Sequence, residues 1–152
     1  MDENAVKRSD ELFGSGKLYC GESVLQAVAE SRGIHSDLIP RIATGFCSGL
    51  ARTCGTCGAV SGAVMALGLA LGRDAPDDPP ERAYAAVREF LEIFEGQFGS
   101  TNCRALTGCD LGTGQGLAFF RDNNLIERCR RFTVEATRIV LEVIERQGES
   151  LA

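Results

Sequence analysis

Apolar residues recur through this chain at the spacing of an α-helix, and that period limits the fold more than any other feature. Tyr84, Val87, Leu91, Phe94 and Phe98 step along one face of the stretch 81–98. Leu125, Cys129, Phe132, Ala136, Val140 and Val143 do the same in a last helix that Asn123 or Asn124 opens and that runs to about Gln147. Steps of three and four place side chains on one helical face, whereas strict alternation would mark a strand. No segment alternates convincingly. The expectation is an all-α, single-domain helix bundle of about five to six helices over residues 1–152.

The remaining helices follow from their stops and caps. Residues 3–13 read as a short amphipathic helix ending at Gly14-Ser15-Gly16. Residues 21–32 form a second, with Val24, Ala27 and Val28 as its stripe, Cys20 continuing that stripe and Gly33 as its stop. Ser36 or Asp37 caps a third through about Phe46, after which Gly45, Gly49 and Gly55 make the chain irregular or bent. Thr56 is placed to cap a helix from Cys57 to Leu71, closed by Gly72. Its continuous apolar part is shorter than the roughly 18 to 20 residues of a membrane span, so it reads as a core helix. Residues 107–116 carry four glycines and read as a loop. A chain that is 44% hydrophobic can bury a core without staples.

Stability therefore does not account for the seven cysteines, Cys20, Cys47, Cys54, Cys57, Cys103, Cys109 and Cys129, which stand beside a single histidine. Cysteine can be a soft metal ligand, a nucleophile or one half of a redox couple. An odd count and a charged start, MDENAVKRSDEL, point to a reducing cytoplasm and to free or metal-bound thiols. The net charge of −5, with no basic run, speaks against nucleic acid and would steer a basic redox partner. The apolar helix with its glycine face offers a surface for a homodimer.

Position distinguishes the thiols. Cys57 follows Thr56, and Cys103 follows Thr101 and Asn102, so each falls in a first turn, where unpaired N–H groups favour a sulfur anion. Cys129 lies in an apolar stripe and is readable as a small core hydrophobe; Cys47 reads as a core thiol. Cys54 and Cys57 form a C-x-x-C without the βαβ context of the usual redox motif. Only one such pair exists, with Cys103 and Cys109 a poor second, so a zinc site is weakly supported. Gly58 and Gly62 share a helix face, which suits either close helix approach or room for a cofactor.

The order of four segments, CGESVLQAV, CGAVSG, FGSTNCRAL and RCRRFTVEA, resembles the C_GCAxxG_C_C family of redox-active proteins, from about Tyr19 to Val143. The resemblance implies that Cys20, Cys57, Cys103 and Cys129 are the family cysteines and Gly62 the motif glycine. Relatives include selenoproteins, and a related domain is joined to haem in split-Soret cytochromes; both associations imply redox chemistry. Cys47, Cys54 and Cys109 are additions to the pattern. Three readings follow. Four converging thiolates hold an iron–sulfur cluster for electron transfer, although the dense ferredoxin spacings are missing. Alternatively, Cys57 is an attacking thiolate resolved by Cys54 or Cys20. In the third, the bundle carries a structural zinc or inert thiols. Cys57 is expected to be the most acidic thiol.

Overall fold

In the computed structural model, which describes residues 2–149, those residues form nine helices and no strand. The all-α expectation holds, and the count exceeds five to six because three short helices punctuate the connections. α1 (Glu3–Gly14) starts on Asp2, whose carboxylate accepts the Ala5 N–H at 3.1 Å. That satisfies one of the orphan donors of the first turn. α2 (Cys20–Ser31) begins with the cysteine itself. Glu22 turns back to accept the Tyr19 N–H at 2.9 Å, while its other oxygen accepts the Thr44 hydroxyl at 2.7 Å. Both contacts satisfy a carboxylate that the fold buries.

The expected third helix through Phe46 is not formed. Only Arg41–Thr44 is helical there (α3), with Pro40 as its N-cap. Proline has no N–H and disfavours helix in the residue before it, so a helix can start after Pro40 but not run through it. α4 (Cys47–Arg52) is then left-handed: Ser48, Gly49, Leu50, Ala51 and Arg52 have φ of 57, 66, 58, 54 and 67°. The expected irregularity is thus a full turn of the wrong hand. Only Gly49 adopts it freely; each of the others stores about 1–2 kcal/mol. Ala51 is exposed, so Ala51→Gly is expected to stabilise the protein by about 0.5–1 kcal/mol, relief of strain outweighing the greater entropy of an unfolded glycine. A denaturation midpoint that falls instead would contradict this.

α5 (Gly58–Leu71) and α6 (Glu81–Phe98) lie where the periods place them. α6 stops on Gly99, at φ 84°. α7 (Cys103–Thr107) is capped by Asn102, whose side chain accepts the Ala105 N–H at 3.1 Å. The supposed loop 107–116 ends early: Thr113 caps α8 (Gly114–Asp122) through the Gly116 N–H at 2.9 Å. The last helix, α9 (Ile126–Glu149), starts slightly later than expected, after Asn124 at φ 51°. Its 24 residues make it about 36 Å long.

α2, α5 and α9 pack against one another; α1 lies across α2 and α9, and α6 across α5 and α9. The shared core contains Val24, Val28, Val60, Leu67, Phe90, Phe94, Val140 and Val143, all at most 1% exposed. Phe94, Phe98 and Phe132 continue it toward one end, with Phe98 and Phe132 edge to face at 5.0 Å. Among the described residues no helix is long and apolar enough to cross a membrane.

Candidate functional site

Four cysteines from four helix positions line one cavity of about 170 Å³ at that aromatic end. Cys20 is the first residue of α2, Cys57 the N-cap of α5, Cys103 the first residue of α7, and Cys129 lies one turn into α9. The walls between them are apolar, with Phe13, Leu106, Phe120 and Phe132 among the lining residues. Tyr19, Leu117 and Ile126 line it too and are among the exposed large apolar residues, so they mark the mouth. The left-handed turn contributes Ser48, Gly49 and Arg52.

A backbone clasp sets Cys57 beside Cys103. The Cys57 N–H donates to Thr101 O at 2.7 Å, and the Cys103 N–H donates to Gly55 O at 2.9 Å. The Asn102 side chain donates to Cys54 O at 2.7 Å, and Thr56 pairs with Asn102 as an isolated bridge. Thr56 is thereby engaged outside the helix, and Cys57, not Thr56, occupies the cap position.

Glycines set the other approaches. A Cβ at Gly58 would lie 2.5 Å from Cys20 Sγ, and one at Gly49 would lie 2.5 Å from Cys103 Cβ. Both glycines make room for thiols and line the cavity. Gly62 does not line it: a Cβ there would meet the Gly21 backbone, with the carbonyl oxygen at 2.5 Å. Of the two purposes the sequence leaves open for the glycine pair, Gly62 serves close helix approach and Gly58 serves the thiols.

The C-x-x-C cysteines face different surroundings. Cys57 is buried at the cavity, whereas Cys54, at φ 60°, lies outside the lining with the Asp110 carboxylate as a neighbour. That carboxylate pushes the Cys54 thiol up. Cys109 is buried beside Leu111 and Leu125, also outside the lining. Cys47 is buried behind Cys20 and donates its thiol to Ala43 O at 3.5 Å; the neighbouring Cys20 and burial push its thiol up. The Cys20–Cys47 contact had no local signature in the sequence, because 26 residues separate the two. Arg52 was likewise missed; only the left-handed turn brings it to the mouth.

Burial controls the ionisation of Cys57, Cys103 and Cys129. It pushes Cys57 up to about 11, overcoming the N–H groups of Ala59 and Val60 that pull the other way. The helix terminus therefore does not make this a low-pKa thiol, contrary to the sequence expectation. Burial, then the neighbouring Cys57, Cys103 and Cys109, pushes Cys129 up to about 12. Burial also raises Cys103.

A pH dependence follows. The folded chain retains protons on Cys57 and Cys129 that an unfolded chain releases near pH 9. This contribution to stability is complete below that pH and is lost as pH rises through about 11 and 12. Each thiol contributes at most about 1.4 kcal/mol per pH unit in that window. Melting of metal-free, reduced protein from pH 8 upward is expected to show the decline, and Cys57→Ala to make it shallower. An unchanged slope in that variant would contradict the assignment.

Among the described residues, no three His, Cys, Asp or Glu side chains close on a single ion's position. Cysteine sulfurs are soft donors, and the four that line this cavity are the residues that could hold a soft metal or a metal–sulfur group.

No curated protein and no solved structure matches the chain. The sequence pattern of the family described as "Putative redox-active protein (C_GCAxxG_C_C)" matches residues 18–143, which span all seven cysteines and the whole cavity lining except Phe13. The chain belongs to the C_GCAxxG_C_C family.

Proposed function

We propose that Cys20, Cys57, Cys103 and Cys129 hold one iron–sulfur cluster and that the protein transfers electrons. The observation that carries this reading is the shared cavity: four thiols supplied by four helices line one apolar space. A bound cluster would take up and release single electrons. The chain's part is to position the thiolates, to keep water from them with Phe132, Leu106 and Phe120, and to release protons on loading. Arg52 at the lining places a positive charge beside an anionic thiolate set. The exposed apolar residues at the mouth, Tyr19, Leu117 and Ile126, give a partner protein a dry landing surface close to the thiols.

Because burial keeps Cys57 and Cys129 protonated in the free chain, loading must displace their protons and strengthens as pH rises. The test is anaerobic purification followed by iron and acid-labile sulfide analysis. Brown protein carrying iron and sulfide together, with sulfur-to-iron charge-transfer absorption, is the expected result. Colourless protein without iron after reconstitution would overturn the reading, and stoichiometric zinc would replace it with a structural site.

A further inference from the structure

The cavity explains four of the thiols and leaves Cys47, which is 3% exposed and sits directly behind one of them. A Cβ built on Gly58 would lie 2.5 Å from Cys20 Sγ and 2.9 Å from Cys47 Cα. The sulfur of one cysteine and the backbone of the other thus meet at one point on α5, within the sum of those two distances. A Cβ built on Gly21 would lie 3.4 Å from Cys47 Sγ, so the Cys47 sulfur lies against the residue that follows Cys20. The neighbouring Cys20 pushes the Cys47 thiol up, and the Cys47 thiol donates to the Ala43 carbonyl at 3.5 Å. A disulfide needs Cα atoms about 4.4–6.8 Å apart and side chains turned toward each other, and this arrangement supplies the second condition without a large backbone movement. Access is one-sided: Cys20 is partly exposed and lines the cavity, whereas Cys47 does not.

We propose that Cys20 and Cys47 form a reversible dithiol–disulfide couple, in which Cys20 meets the oxidant and Cys47 resolves it. The oxidant is a low-molecular-weight disulfide small enough to enter the mouth. The Cys20 sulfur attacks one sulfur of that molecule, its S–S bond breaks, and the first small thiol leaves. Cys47 then attacks the Cys20 sulfur of the mixed disulfide, the Cys20–Cys47 bond forms, and the second small thiol leaves. The protein pair is oxidised by two electrons; its two protons end on the two released thiols. The couple itself requires no metal. Its consequence rests on the proposed cluster: a disulfide withdraws Cys20 from the ligand set, so oxidation and cluster retention exclude each other.

Trypsin makes the test direct. Cys20 falls in the peptide 18–32 and Cys47 in 42–52, each with no second cysteine, while Cys54 and Cys57 share 53–73. The reduced full-length chain is treated with oxidised glutathione, free thiols are blocked, and the digest is mapped without reductant. The expected product is a link between 18–32 and 42–52 that forms before any other and disappears on reduction. Cys47→Ala should instead retain glutathione on 18–32, at least tenfold more than the parent. Iron released in step with the link in the parent, and in step with glutathione capture on 18–32 in Cys47→Ala, is the expected coupling; iron that stays bound while the link closes would overturn the consequence for the cluster and leave the couple standing. A first link from Cys20 to 53–73, a Cys47 that stays free while other pairs close, or no link at excess oxidant would each overturn the couple.

Discussion

Gly62→Ala is expected to lower the melting temperature by roughly 4–8 °C, although alanine is the better helix former. Propensity favours the change by about 1 kcal/mol. The new methyl group, however, would stand 2.5 Å from the Gly21 carbonyl oxygen and 2.8 Å from Gly21 Cα. Those are backbone atoms of a packed helix and cannot rotate aside, so α2 and α5 must separate. Overpacking of this kind costs about 1–3 kcal/mol, and more where the obstacle is rigid. In a domain of this size each kcal/mol moves the midpoint by about 2–4 °C. Gly68, on the same helix, is the control: nothing lies within 4 Å of its Cβ position, so Gly68→Ala should stabilise by about 0.5–1 kcal/mol. Opposite signs for one substitution at two positions of α5 separate close approach from propensity. If Gly62→Ala melts as high as the parent, the two helices do not meet through that glycine.

The second large effect concerns the thiols themselves. Serine in place of Cys20, Cys57, Cys103 or Cys129 is expected to reduce retained iron at least tenfold, while Cys54→Ser and Cys109→Ser leave it near the parent level. The division follows the cavity lining: the first four share it and the other two lie outside. Cys54 neighbours Asp110, and Cys109 packs with Leu111 and Leu125. A hydroxyl is a poor ligand for soft iron, and its small size keeps the packing, so a folded variant with intact helicity reports ligation. Loss of iron in Cys54→Ser equal to that in Cys57→Ser would move the ligand set off the cavity.

The legible part of this fold was periodic. α6 is bounded where its stripe and Gly99 place it, and the α9 stripe turns Phe132, Val140 and Val143 inward as the spacing requires. The short pieces were obscure because tertiary contacts decide them. Pro40 breaks the third helix, Thr113 rescues a helix inside a glycine-rich stretch, and three backbone and side-chain bonds to segment 101–103 pull Thr56 off its cap. The left-handed turn was opaque for a different reason: four of its five residues are ordinary ones held at positive φ by their surroundings. Within the site, the family pattern marked four cysteines that share a cavity. The ionisation of Cys57 was misjudged because a helix terminus is visible in sequence and the burial opposing it is not.

The claim that these four thiols serve one multi-atom group is tested most directly by iron X-ray absorption on the anaerobically purified full-length chain. The expected spectrum shows iron surrounded by sulfur alone, with an iron–iron scattering path that a single ion cannot produce. Iron with mainly nitrogen or oxygen neighbours, or sulfur-ligated iron lacking any iron–iron path, would contradict a cluster in this cavity.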